Sequence, residues 1–420
     1  MSPAANQART AAVEFPDDNA GPAIAHDGPT GTALAEWRGN WPVVAGSALA
    51  VAFGFASFAF VSSLFVQPLE ASFGWSRGAQ ALVQYAYIVV ALTAPLFGAW
   101  VDRFGVRRIA LTCIPAVALC YLALALMSGS IALYYLFMGC LVLAGQGTAG
   151  IVFTRAVAAV FDRSRGLALA ASRIGLSIAA AGLPSIVFAA IDRGGWRWGY
   201  ATLALLALFV SLPATWFWVR EPPRRAGVPR PRGGAILSLV RQRKVVILSC
   251  AAALMMGPIV GILSQLQPIL TGKDIAPAGA ARLLGLLALS VVTGTIVTGA
   301  LADRVWAPVL GFVFSLAGAG GCLILALHGQ LSAGGAMLAV LLLGIAQGAE
   351  IDLVGYLIAK YFGIADFAKI FGLGIMLIGV TSALASLLFG VTYDRLGSYD
   401  AALGGAAFLM TAAALLFLAL

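Results

Sequence analysis

The chain alternates long apolar runs with short polar segments, and the length of the runs decides what they can be. Runs of about 20 residues, enough for a helix to cross the hydrocarbon of a bilayer, fall at about 43–66, 80–101, 108–128, 131–156, 167–190 and 197–219. Six more follow at about 245–270, 280–301, 306–328, 333–358, 369–390 and 399–420. Hydrocarbon offers no partner to a backbone amide, so runs of this length must be helices. The pattern predicts an all-α membrane protein with twelve transmembrane helices. Composition agrees, since 61% hydrophobic against 10% charged residues leaves too few polar groups to cover a soluble surface.

Between the runs, Lys and Arg are shared unevenly. With both termini inside, the inner segments hold 18 of the 26, among them Arg9, Arg38, Arg103, Arg107, Arg108 and the cluster from Arg220 to Lys244. The outer segments hold 6: Arg77, Arg193, Arg197, Lys273, Arg282 and Arg395. Basic residues favour the cytoplasmic side of short connections, so both termini are expected in the cytoplasm and the chain in the plasma or inner membrane. The same asymmetry accounts for the net charge of +9 without a nucleic-acid partner. Cys113, Cys120, Cys140, Cys250 and Cys322 all fall in apolar runs, where cysteine ordinarily packs as a small hydrophobic residue. No disulfide framework, metal site or cofactor is expected. Residues 1–40 are polar and lack a signal-peptide core, and read as a disordered cytoplasmic tail.

The halves repeat. "GAWVDRFGVRR" at 98–108 is echoed by "GALADR" at 299–304, so Asp102 and Arg103 recur as Asp303 and Arg304 at an offset of 201. "QP" at 67–68 recurs at 267–268, "QG" at 146–147 at 347–348, and "DR" at 192–193 at 394–395. Each pair keeps its place in a six-helix unit, which indicates duplication. The expected division is a tail at 1–40, a six-helix bundle at 41–219, a basic linker at 220–244 and a second bundle at 245–420. "REPPRRAGVPRPRGG" at 220–234 carries prolines and like charges that prevent packing, and its arginines serve the topology or bind anionic lipid.

Two six-helix halves with these motifs resemble the major facilitator superfamily: "GAWVDRFGVRR" is similar to its signature between the second and third helices, and "GALADR" to the second-half copy. The resemblance covers the chain from about residue 40. "LFVQPLEASFGWSRGAQ" at 64–80 and "VFDRSRGLALA" at 160–170 resemble the monocarboxylate transporter and oxalate-formate antiporter group. The resemblance implies the major facilitator fold and a secondary active transporter that moves a small organic solute by alternating access, with a monomer as the superfamily's default. In the charged turn, Gly98 lets the second helix approach a neighbour, Asp102 caps the turn, and Arg103, Arg107 and Arg108 hold positive charge at the inner face. Asp102 is expected to pair with a cation or a helix N-terminus of the other half when that side is closed. Gly299, Asp303 and Arg304 repeat the gating turn.

Ionisable residues inside spans are costly and indicate function. Glu350 lies ~15 Å and Asp352 ~12 Å inside Lys360, Arg155 ~10 Å inside Asp162, and Arg173 ~12 Å inside Arg165, at 1.5 Å per residue. The functional reading is that an arginine holds an anionic substrate while a carboxylate carries the coupling proton; the arginines, however, are also close enough to the interface to snorkel. Glu350 and Asp352 stand ~200° apart around their helix, so both cannot face one cavity. Tyr356 shares the face of Asp352 and is the repeat mate of Arg155. Gln84, Tyr85 and Tyr87 are further candidates in the second helix.

The chain departs from the resembled group in the eighth span. Members of that group carry a substrate-gripping arginine four residues before the second-half glycine, where this chain has Thr295, and some carry an acid at the position of Val291. The oxalate carriers' lysine in the eleventh helix has no match either, Lys369 lying at the helix entrance. Either Arg155 or Arg173 substitutes, or the solute is not a simple monocarboxylate. An organic acid anion with proton coupling is the first expectation, a proton-driven efflux carrier for amphipathic compounds the second, and a transport-fold sensor the third. An enzyme is not expected, because His26 and His328 stand in the tail and a loop with no catalytic constellation around them.

Overall fold

The computed structural model describes residues 33–161, 164–220, 242–302, 304–327, 331–362 and 367–420. The described chain is helical throughout, with no strand, and nine of its helices are long and apolar enough to cross a membrane, with mean hydropathy from 1.7 to 2.3. It is an all-α, multi-pass membrane protein. The first span enters as α1 (Ala33–Ala52), continues through 3-10 turns and closes as α2 (Val66–Phe73). The second starts as α3 (Arg77–Ala81) and runs on as α4 (Ala86–Phe104). Next come α5 (Val106–Ala125), α6 (Ile131–Gly145), α7 (Gly150–Val160), α8 (Arg165–Gly194), α9 (Trp196–Leu206) and α10 (Leu212–Trp218). The second half is more regular: α11 (Arg243–Thr271), α12 (Pro277–Leu301), α13 (Ala307–Ala326), α14 (Ala333–Phe362), α15 (Phe367–Leu396) and α16 (Asp400–Leu418).

Successive spans reverse direction, so the start of α1 and the end of α16 share one end of the molecule, here the terminal end. The loops at 74–76, 272–276 and 397–399 lie at the opposite, far end. α1 starts at Ala33, so residues 33–40, assigned above to the tail, belong to the first helix. The Glu36 carboxylate on its first turn accepts hydrogen bonds from the Ser164 amide (3.1 Å) and hydroxyl (2.6 Å), which ties this turn to the start of α8. At the charged turn, Gly105 (φ 93°) lets α4 pass directly into α5, in backbone space that a side chain would strain.

The first and fourth spans unwind where they meet. α1 ends at Ala52 and α6 at Gly145, and 3-10 turns at Ala56–Phe60 and Gln146–Thr148 follow. The Phe55 amide freed by the break is satisfied by the Thr148 hydroxyl at 3.1 Å. A Cβ on Gly145 would overlap the Phe55 ring. Irregular backbone at membrane depth persists only where protein satisfies it, and this pair supplies that partner.

Apolar side chains gain little from leaving lipid, so helices hold together through close packing at small residues. α12 crosses α14 so tightly that a Cβ on Gly294 or Gly348 would run into the carbonyl of Ile345 or Val291. Across the halves, Gly285 on α12 sits on the Ala181 carbonyl of α8. The second contact between halves runs from α15 to α3 and α4.

Candidate functional site

A narrow cavity lies under the far end, lined mainly by the first half, with Ser264 and Gln265 reaching it from the second. The broken stretch of the first span supplies Phe55, Phe58 and Phe65, and the neighbouring spans add Tyr134, Tyr200 and Met138. Ser62 from the first span, Gln80 and Gln84 from the second and Ser264 and Gln265 from α11 add polar groups to the wall. An apolar wall with a few hydrogen-bonding groups is the usual make-up of a small-molecule site.

Above the cavity, hydrogen bonds between the halves close the far end. The Asp394 carboxylate on α15 accepts from the main-chain amides of Arg77 (2.9 Å) and Gly78 (2.8 Å), capping α3 from the other half. Gln67 donates to the Thr271 hydroxyl at 2.9 Å. Arg77, only 6% exposed, donates to the Glu70 carboxylate (2.9 Å) and to the Tyr399 oxygen (2.8 Å), and lies 3.6 Å over the Tyr393 ring. Burial disfavours the charge on Arg77, and the hydrogen bonds to Glu70 and Tyr399 offset that cost. The backbones fit closely: a Cβ on Gly390 would stand 2.6 Å from the Arg77 carbonyl oxygen.

Of the residues singled out from sequence, Gln84 lines this cavity. Tyr85 does not; its hydroxyl donates to the Tyr135 carbonyl at 3.1 Å and braces the second span on the fourth. Glu350 is 1% exposed, and neither carboxylate oxygen is hydrogen-bonded among the described residues. Ala346, one turn earlier, packs on α13 at Gly318, so Glu350 continues the face turned into the second half. Asp352, half-buried, follows Gly348 by one turn on the face turned to α12. Tyr356 is half-buried under Lys360, whose Nζ lies 5.4 Å from the ring centre. Thr295, the position of the missing arginine, donates to the Gly348 carbonyl at 2.9 Å and so braces α12 on α14.

At the terminal end, Arg107 donates to the Trp216 carbonyl at 2.8 Å, within its own half. Arg103 lies 5.4 Å from the Phe104 ring, and Arg108 and Arg304 are exposed. Gly299 faces open space, with nothing within 4 Å of a Cβ placed there. Arg155, Arg173, Gly98 and Asp102 stand on α7, α8 and α4, but their surroundings lie outside the described residues, as does Asp303 altogether. Sequence reasoning missed Gln80, Gln265, Arg77, Tyr399 and the capping role of Asp394. The available signal was two glutamines inside apolar runs and the recurrence of "DR" at 394–395.

Comparison with known proteins agrees with this architecture. Residues 47–373 match the model of the Major Facilitator Superfamily. The chain is similar to monocarboxylate transporter 11 of Homo sapiens, 26% identical over 388 residues, covering 86% of this chain and 79% of that one. Among solved structures, the nucleoside transporter NupG, in mutant form, superposes with a TM-score of 0.76 at 14% identity, covering 90% of this chain and 99% of that chain. A bacterial homolog of the human lysosomal transporter Spinster, in an inward-facing and unoccupied conformation, gives 0.66 at 16% identity, covering 93% and 96%. These two likenesses speak for the fold. With a family match across most of its length, on an all-helical membrane fold with a cavity lined from both halves, the chain belongs to the major facilitator superfamily of transporters.

Proposed function

We propose that the protein is a secondary active transporter of a small organic solute with an apolar body, an organic acid in the first instance, coupled to protons. The observation that carries this reading is the aromatic and amide-lined cavity between the halves, closed at one end by hydrogen bonds that cross from half to half. A cavity completed by both halves changes its access when they rock. The organic-acid reading draws on the similarity to monocarboxylate transporter 11 and on the two arginines, Arg155 and Arg173, within spans. Proton coupling is assigned to Glu350, with Asp352 as the alternative carrier.

The rest of the reading places both termini in the cytoplasm and the chain in the plasma or inner membrane. It divides the chain into a first bundle that begins with α1 at Ala33 rather than at 41 and a second that begins with α11 at Arg243 rather than at 245, with a basic linker from 220 between them. One copy completes the cavity, so a monomer suffices. The alternative, efflux of amphipathic compounds, is favoured by Thr295, which braces two helices where relatives carry a substrate arginine. Uptake into proteoliposomes under an imposed proton gradient separates the two. Accumulation of small organic acids supports the first reading, and extrusion of lipophilic cations replaces it with the second.

A further inference from the structure

The two glutamines that face each other's halves have side chains whose orientation is forced by their partners. Arg77 is a donor only, so the Tyr399 oxygen that receives its hydrogen bond must send its own proton onward, and it does so to Oε1 of Gln265 at 3.0 Å. With Oε1 taken, the amide turns Nε2 away from Tyr399. Gln265 is 1% exposed, lines the cavity, and its Nε2 makes no hydrogen bond among the described residues. The buried cation thus fixes Gln265 as a donor to the cavity.

Gln80 is fixed in the opposite sense. Its Nε2 donates to two carbonyl oxygens, of Val66 at 3.2 Å and Trp75 at 3.3 Å, and a carbonyl accepts only from the nitrogen end of the amide. Oε1 is left over, with no hydrogen bond among the described residues, on a side chain 3% exposed that lines the same cavity. One wall, from the second half, therefore presents N–H; the other, from the first half, presents C=O.

We infer that the cavity selects a neutral group carrying an acceptor beside a donor, such as a primary amide, a cyclic imide or an undissociated carboxyl, mounted on an apolar or aromatic body. This rests on the reading of the cavity as the solute's path. A carboxylate has acceptors only and would leave the Gln80 oxygen facing a negative charge, whereas an amide or a protonated acid answers both walls. Aromatic faces from Phe55, Phe58 and Tyr200 receive the body. A ligand held at both amides joins the two halves beneath the far-end gate.

The test is the thermal stabilisation of the purified protein by four matched probes: benzamide, N,N-dimethylbenzamide, and benzoic acid below and above its pKa, beside a proteoliposome uptake screen. The expected result is stabilisation by benzamide, with the dimethyl compound and the benzoate anion binding about tenfold more weakly or worse. Gln265→Met and Gln80→Met each abolish that preference; because each also removes buried hydrogen bonds and lowers the ligand-free melting temperature, the preference is read as the ratio between probes on the same variant, and the comparison of probes on the unaltered protein stands even if a variant misfolds. Stabilisation by benzoic acid only below its pKa extends the selection to undissociated acids; stabilisation by benzamide alone confines it to amides and imides. Equal binding of benzoate and benzamide, or of the dimethyl compound, overturns the inference. So does uptake of a charged solute with no response to any probe, although the transport reading then survives. Absence of both uptake and binding removes the transport reading itself.

Discussion

The carboxylate of Asp394, near the end of the eleventh span, caps the helix that begins at Arg77, 317 residues away in sequence, by accepting hydrogen bonds from the amides of Arg77 and Gly78. An anion at a helix N-terminus satisfies free amides and meets the positive end of the helix dipole. Because cap and helix belong to different halves, parting of the halves at the far end would break the bond.

Asp394→Ala should therefore weaken the closed far end by about 2 kcal/mol, roughly 30-fold in the ratio of closed to open forms. A cysteine placed at Gln84, in the cavity wall of a cysteine-free background, reports it through alkylation from the far side of the membrane. Faster labelling in the Asp394→Ala variant is the expected outcome, and an unchanged rate means that the cap does not hold the gate.

Two glycines make a matched pair for packing. A Cβ on Gly348 meets the Val291 carbonyl of α12, whereas a Cβ on Gly299 meets nothing. Gly348→Ala should lower stability by about 1–3 kcal/mol, read as a drop in melting temperature, and Gly299→Ala should leave it in place. Equal effects would show that the glycine of the second-half motif packs against a surface that opens only in another state.

Much of the fold was legible because bilayer thickness converts directly into run length. The run at 245–270 became α11, Arg243–Thr271, and that at 280–301 became α12, Pro277–Leu301. The breaks in the first and fourth spans were not legible, since residues 53–65 are as apolar as their flanks, and only the meeting of Phe55 with Gly145 and Thr148 decides the backbone there. The site was less legible than the fold. Asp192 and Asp394 are repeat mates with equal weight in sequence, yet Asp192 is exposed and Asp394 caps a helix across the halves. Likewise, what Gln265 offers the cavity depends on Tyr399, 134 residues further on, and periodicity within one helix carries no such information.

The charged turn at the terminal end supplies a third prediction. Asp102 recurs as Asp303 at the same offset as the neighbouring motif, which points to a latch rather than a ligand contact. Asp102→Asn should slow transport several-fold while solute affinity stays within about threefold, because a gate residue biases the conformational equilibrium without touching solute. Initial uptake rates set beside thermal-shift affinities check it, and a wild-type rate removes Asp102 from the gate.

Glu350 supplies the fourth. A carboxylate 1% exposed, with neither oxygen hydrogen-bonded among the described residues, is costly to keep charged. Glu350→Gln should retain solute-for-solute exchange, which moves no net proton, and lose accumulation driven by a pH gradient. Counterflow and gradient-driven uptake in the same vesicles separate the two. Continued accumulation passes the coupling role to Asp352, whose Asn variant is then expected to show the loss.

The most direct measurement locks the far end. Gln67 and Thr271 meet across the halves through a 2.9 Å hydrogen bond, so a Gln67→Cys/Thr271→Cys pair in a cysteine-free background accepts a short, reducible bifunctional thiol reagent. If the halves must part there in every cycle, crosslinking abolishes solute uptake into proteoliposomes and reduction restores it. Uptake that continues at the uncrosslinked rate with the bridge complete would contradict alternating access through this cavity.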